Sequence, residues 1–373
     1  MTDKFDPVYV TRPSMPPLEE YIPYLQQIYE TGILANNGPF HMQLEERLAE
    51  YLGVKHISLF ANGTLALMVA LQALDISGEV ITTPFSFVAT THAITWNNLT
   101  PVFADVEPDY FTLDPEEVEK AISPETTAIL PVHVYGNPCR EKELKNIADR
   151  HGLRIIYDAA HAFGVRVNDN SIANFGDMSV LSFHATKVFN TFEGGAIVCH
   201  DAATKRRVDD LKNFGFRGET DVVSMGINGK MNELQAAMGL LQLNYIDANI
   251  EKRRVIAERY RELLGQTDGL RLLQDVPGVR HCYSYFPLLI EGKDSGADRD
   301  IVYKRLKENN IFTRRYFYPL ISQFPPYRGL ASAAPGNMPV AEMATGRVIC
   351  LPIYPDLSLE MVGVISNIVR ESL

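Results

Sequence analysis

Short strands alternating with helices through the first two-thirds of the chain predict an α/β protein. Its sheet should be mostly parallel, with helices on both faces. A change of element rhythm near residue 250 predicts a second, smaller C-terminal α+β domain. The 373 residues are 46% hydrophobic and 22% charged, which is enough apolar material for two cores. The predicted division is 1–250 for an N-terminal segment and large domain, and 251–373 for the small one.

The elements follow in order. The first residues are punctuated by proline and read as irregular; 17–29 and 42–52 have helical patterns. Residues 56–60 read as a strand, 61–64 as a turn and 65–74 as an apolar helix. Strands at 79–83 and 102–105 flank a helix at 90–97. Asp114-Pro115-Glu116-Glu117 is the clearest helix start, with an N-cap, a proline at the first helical position and acids in the first turn. Strands follow at 127–133, 154–157, 178–183 and 195–199, with a helix at 140–151. One long helix is predicted over 232–249, where Leu234, Met238, Leu241 and Tyr245 form a stripe for core packing or subunit contact. A charged helix at 251–264 opens the second domain. A strand at 283–289, a helix at 299–309, a Pro/Gly/Ala-rich loop at 319–335 and a last helix at 356–370 complete it.

Composition narrows the function. The 46 acidic and 35 basic residues leave a net charge of -11, which argues against a general nucleic-acid binder. No run approaches the roughly 18 apolar residues of a membrane span, and the N-terminus lacks a signal-peptide core. Cys139, Cys199, Cys282 and Cys350 are too scattered for a disulfide scaffold or a CxxC pair. They read as reduced and mostly buried. A soluble cytoplasmic enzyme is expected, with no metal site.

In an open parallel sheet, ligands bind beyond the carboxyl ends of the strands. Gly63-Thr64 falls there, between a strand and a helix start, where free amides and a hydroxyl suit a phosphate. Asp158 follows one apolar strand and Lys187 the next. Taken singly, Gly63 is also ordinary turn geometry, Asp158 a turn cap and Lys187 a solvated lysine. His161 and His184 are each open to a structural or surface role. Together, a phosphate nest, an acid and an amine meet the needs of pyridoxal 5′-phosphate (PLP). Its aldehyde takes an amine, its pyridine nitrogen a carboxylate and its phosphate N–H and O–H donors. Phe87 could cover the ring.

At these residues the chain resembles the DegT/DnrJ/EryC1/StrS family of PLP-dependent sugar aminotransferases, from about residue 12 to the C-terminus. The matching segments are Phe60-Ala61-Asn62-Gly63-Thr64-Leu65-Ala66-Leu67, Thr83-Pro84-Phe85-Ser86-Phe87-Val88-Ala89-Thr90 and Tyr157-Asp158-Ala159-Ala160-His161-Ala162-Phe163-Gly164. Ser182-Phe183-His184-Ala185-Thr186-Lys187, Glu193-Gly194-Gly195 and the run from Gly226 to Ala237 follow in order. The resemblance implies a type I aminotransferase fold, with a largely parallel seven-stranded sheet in the large domain. It implies Lys187 as the Schiff-base lysine and proton carrier, and Asp158 at the pyridine nitrogen. Gly63, Thr64 and Ser182 would hold the phosphate, Phe87 would stack on the ring and His161 would lie near the phenolic oxygen. Asn228 would reach the phosphate of a neighbouring subunit, which implies a homodimer with shared sites. Lys230 departs from the family's usual arginine and lacks its rigid bidentate fork.

The resemblance also implies the reaction. L-Glutamate would be the amino donor and a nucleotide-linked keto-sugar the acceptor. The Phe183-His184-Ala185-Thr186-Lys187 and Phe192-Glu193-Gly194-Gly195 segments resemble the branch acting at sugar C4. The C3 branch more often has Tyr-Pro-x-Lys and Gly-Asp-Gly-Gly. The expected acceptor is dTDP-4-dehydro-6-deoxy-D-glucose, and the product dTDP-4-amino-4,6-dideoxy-D-glucose would be a precursor of surface polysaccharide (O-antigen, lipopolysaccharide) or of a glycosylated metabolite. Arg217, Arg314, Arg315 and Tyr316 are candidates for the sugar-nucleotide site, with solvated surface charge as the alternative. The other readings are amination at C3, a UDP-linked 4-keto-sugar, and a regulatory or scaffold protein on this fold. A sugar dehydratase of similar fold would carry histidine in place of Lys187.

Overall fold

The computed structural model describes residues 6–292 and 295–373, without the side chains of 295–297. The large domain is built on seven strands. In chain order they are β1 (His56–Phe60), β2 (Glu79–Thr82), β3 (Thr100–Phe103), β4 (Thr126–Leu130), β5 (Arg154–Asp158), β6 (Met178–Ser182) and β7 (Gly195–Cys199). Across the sheet the order is β1-β7-β6-β5-β4-β2-β3. The β3–β2–β4–β5–β6 run is parallel, and β7 lies antiparallel to both β6 and β1.

These strands read as continuous apolar runs because both faces are covered. Val80, Ala128, Leu130 and Ile156 pack on one face, towards α3 (Gly63–Ala73), α4 (Ala89–Trp96) and α7 (Ala202–Lys212). Ile81, Ile129, Ile155 and Tyr157 alternate with them and face α5 (Pro115–Ala121) and α6 (Glu141–His151). At the β1–β7–β6 edge, Leu59, Leu181 and Ala196 meet α1 (Leu18–Thr31), α2 (Pro39–Leu52) and α8 (Glu233–Leu243).

The helix predicted over 232–249 is two. Helix α8 closes in turns at Asn244 and Tyr245, and α9 (Ile246–Leu264) starts directly after. Met238 and Leu241 of the predicted stripe enter the core, while Leu234 stays 40% exposed. Helix α9 serves both cores. Ile246 and Ile250 pack in the large domain, and Ile256, Ala257, Tyr260 and Leu264 in the small one. The rhythm change at 250 thus falls inside one continuous helix.

The small domain carries a three-stranded sheet, β8 (Leu270–Leu272), β9 (Phe286–Ile290) and β10 (Val348–Leu351), with neighbours antiparallel. Helices α10 (Ser295–Glu308), α11 (Pro339–Arg347) and α12 (Leu359–Glu371) cover it. The N-terminal segment also joins this half, since Val8–Tyr9 pairs parallel with Ile311–Phe312. Neither α11 nor β10 is anticipated from the sequence. Helix α11 begins at a proline, and its Val340 and Ala341 amides donate to Asp105, a large-domain carboxylate 235 residues away from the first of them. Its cap is therefore tertiary, since the N-cap residue Met338 makes no side-chain cap bond. Helix α7 is not anticipated either, although Asp201 caps it locally by accepting from Ala203 and Thr204. All four cysteines are buried and unpaired. Among the described residues no helix is long and apolar enough to cross a membrane.

Candidate active site

A cavity of about 600 Å³ opens at the carboxyl ends of the parallel strands. The first turn of α3 forms one wall. Asn62 caps the helix by accepting from the Leu65 amide at 2.9 Å, so Gly63 and Thr64 supply the leading amides. First-turn amides have no intrahelical acceptor, and the helix dipole adds to their attraction for an anion. Ser182, at the end of β6, packs directly beside this turn. A Cβ on Gly63 would lie 3.0 Å from the Ser182 Cβ and 3.3 Å from its Oγ. Gly63, Thr64 and Ser182 all line this wall of the cavity, so the leading amides of α3 and two hydroxyl-bearing residues border the same space.

The Glu193-Gly194-Gly195 segment has a packing reason beneath the same turn. A Cβ on Gly195 would come within 2.7 Å of the Asn62 carbonyl carbon and the Gly63 nitrogen. A Cβ on Gly194 would meet the Thr191 hydroxyl at 2.0 Å. Only glycine lets β7 pass this close under the anion cradle.

Asp158 ends β5 with its side chain buried. One carboxylate oxygen accepts from the Thr90 hydroxyl at 2.8 Å and the other from the Ala160 amide at 3.1 Å. Ser86 Oγ lies 2.9 Å from Thr90 Oγ1 and continues the chain of hydroxyls. Burial pushes the Asp158 carboxyl above its usual range; the Thr90 and Ala160 hydrogen bonds and the Lys187 charge pull the other way. A cationic ring nitrogen would complete the compensation.

Lys187 stands in the loop between β6 and β7, its amide donating to the His184 carbonyl at 2.8 Å. Burial pulls its ammonium down to about 8, against the opposing pull of Asp158. The ammonium still dominates near pH 7, but a far larger share of the group is the neutral, nucleophilic amine than in an ordinary lysine. His161 is buried with its ring parallel to Phe317. Its Nδ1 accepts from the Tyr135 amide at 3.2 Å. Burial, then the Lys187 charge, keeps the imidazole well below its usual pKa and so neutral. With Nδ1 as acceptor, Nε2 carries the proton.

The structure thus brings Gly63, Thr64, Phe87, Asp158, His161, Ser182 and Lys187 around one cavity, with Tyr316. Phe87 is 60% exposed at the mouth, a free aromatic face. His184 and Glu193 form a polar rim, Nε2 to Oε1 at 3.6 Å. Asn228 is exposed and does not line this chain's cavity. The three arginine candidates also lie outside it. Arg217 pairs with Asp210 and Arg314 is an exposed residue bridged through its backbone to Cys350. Arg315 bonds Asp300 at 3.0 Å and packs over Tyr303 and Tyr318. Sequence reasoning assigns no role to Thr90 or Tyr285. Thr90 closes one of the matching segments, and Tyr285 reaches the cavity from the small domain with no local signal.

Residues 18–370 match the DegT/DnrJ/EryC1/StrS aminotransferase family. The chain belongs to this family. The dTDP-4-amino-4,6-dideoxy-D-glucose transaminase of Escherichia coli is 52% identical over 373 residues, covering 99% of each chain. The crystal structure of DesI in the presence of its TDP-sugar product superposes with a TM-score of 0.93 at 36% identity, covering 99% of this chain and 93% of that one. NtdA from Bacillus subtilis, solved with bound cofactor PMP, gives a TM-score of 0.86 at 28% identity, covering 95% and 81% of the two chains. The seven-stranded large domain and smaller C-terminal domain are those of the family's solved structures. The aminotransferase fold thus places the amine, the carboxylate and the anion cradle around one cavity.

Proposed function

We propose that this aminotransferase moves the amino group of L-glutamate to C4 of dTDP-4-dehydro-6-deoxy-D-glucose. The products are dTDP-4-amino-4,6-dideoxy-D-glucose and 2-oxoglutarate. End-to-end identity with the Escherichia coli transaminase carries the substrate assignment. The convergence of Lys187, Asp158 and the α3 N-terminus supports PLP as cofactor.

The residues present fit that group. Bound PLP supplies an aldehyde that exchanges for an amine, and a ring that takes up the electrons of a breaking C–H bond. The Gly63 and Thr64 amides and the Thr64 and Ser182 hydroxyls hold its phosphate. Asp158, kept in place by Thr90 and Ala160, holds the proton on the ring nitrogen. Phe87 covers a ring face, and His161 offers its Nε2 proton to the phenolic oxygen. Lys187 Nζ would be the protein amine that the aldehyde takes up, and as a free amine it would accept the proton from the donor's Cα. In the return half it delivers a proton to C4 of the sugar. Its lowered pKa suits both directions. Tyr316 contacts the sugar-nucleotide. The small domain begins along α9, and a second subunit supplies Asn228 to each phosphate site.

The test is product analysis. Purified protein with PLP and L-glutamate is given dTDP-4-dehydro-6-deoxy-D-glucose, its 3-keto isomer and a UDP-linked 4-keto-sugar in parallel. Amination at C4 of the dTDP sugar is expected; preference for either other acceptor overturns the assignment. Borohydride should bleach the visible absorption and fix the cofactor to Lys187. A colourless protein after PLP addition would rule out the cofactor.

A further inference from the structure

Tyr285 immediately precedes β9 in the small domain, and its hydroxyl lies 3.5 Å from Lys187 Nζ. Among the described residues it is the only side chain hydrogen-bonded to that amine. Its ring is packed edge-on against His161 at 4.9 Å, Tyr135 at 6.0 Å and Tyr316 at 5.4 Å. The backbone beside it is tied to the large domain. Ser284 Oγ donates to the His161 carbonyl, and Cys282 Sγ lies 3.2 Å from the same oxygen. The seam between the two domains therefore sets the distance from phenol to lysine.

We propose that Tyr285 is a positioning residue that holds the Lys187 amine whenever the lysine is not bonded to carbon. This rests on the reading of Lys187 as the proton carrier. A carrier alternates between ammonium and amine, and its partner must serve both. A carboxylate only accepts and would trap the ammonium. A neutral hydroxyl accepts from –NH3+ and donates to –NH2. Burial keeps the Tyr285 phenol well above its usual range, so it stays protonated at working pH. The charged or titratable groups around the pair are Asp158, His161, Tyr135, Cys282, Arg253, Cys350 and Tyr316. Among them Asp158 is the only carboxylate, and it is committed to Thr90 and Ala160.

Tyr285→Phe keeps the ring contacts and removes only the hydroxyl. The first measurement uses cofactor-free protein. Reductive methylation of Lys187 is followed against pH by mass spectrometry of its peptide, for wild type and variant. The wild-type midpoint should lie near about 8. The bond to the ammonium is charge-assisted and the stronger of the two. Its loss should lower the midpoint by about 0.5 to 1 pH unit. The second measurement uses the loaded enzyme. There kcat should fall about 10-fold or more in both half-reactions, with each KM within about twofold and a larger isotope effect from α-deuterated glutamate. An unshifted midpoint overturns the proposal, and so does a shifted midpoint with wild-type kcat. The methylation profile needs neither PLP nor sugar, so it still reports on Tyr285 if the substrate reading fails.

Discussion

Asp158 and Lys187 are both costly to bury, and each is compensated differently. The carboxylate takes two hydrogen bonds from Thr90 and Ala160, while the lysine gives up part of its basicity to its surroundings. Asp158→Asn removes the charge and keeps the shape. Loss of one charge-assisted bond is about 1.5–3 kcal/mol, so PLP affinity should fall roughly 10- to 100-fold, read by absorbance titration. Lys187 gives a pH prediction. Only the neutral amine attacks an aldehyde, and a lowered pKa extends that form to lower pH. PLP uptake by the cofactor-free protein should rise with pH to a plateau just above about 8. An ordinary lysine would keep gaining rate to about 10.4. Stopped-flow absorbance across this range decides between them.

The elements explain why the site has its shape. Helix α3 aims its N-terminus at the cavity because β1 ends at Phe60 and Asn62 caps the next turn. Strand β7 passes beneath that turn only because residue 195 has no side chain. Gly195→Ala should destabilise the fold by about 1–3 kcal/mol and weaken PLP binding, because the clash is with backbone. Gly363, inside α12, is the opposite case, where an added Cβ would meet nothing within 4 Å. Gly363→Ala should raise stability by about 0.5–1 kcal/mol and leave activity unchanged. Denaturant unfolding of the two variants, with PLP titration, tests both. Most large-domain elements are legible because their caps and periodicity are local, as at Asp114-Pro115. The break at Asn244–Tyr245 is not, because an apolar stripe continues through it. Helix α11 is not, because Asp105 caps it from the other domain.

The whole molecule carries a net charge of -11, yet its proposed ligands are anions. Recognition must come from local donors at short range, such as the α3 amides, against the sign of the long-range field. The proposed dimer makes a separate prediction. Lys187→Ala and Asn228→Ala chains are each expected to be impaired. In a mixed dimer, one site would combine both defects and the other would be intact. Refolding equal amounts together should restore activity to about a quarter of wild type, for random pairing and half the sites. No recovery above the separate variants, with mixed dimers verified by mass spectrometry, would exclude the shared-site arrangement.

The order of residues along the chain is enough to specify the alternating architecture, the placement of Gly63-Thr64, Asp158 and Lys187 at or beyond the carboxyl ends of strands, and the family. Each depends on neighbours within a few residues, or on an ordered series of motifs. Which side chains meet is settled by the folded chain. Folding places Thr90 on Asp158, Tyr135 on His161 and Tyr285 on Lys187, and leaves Arg217, Arg314 and Arg315 outside this chain's cavity. Those pairings join residues 26 to 98 positions apart. Sheet order and the seam between domains set them, and no local pattern encodes either.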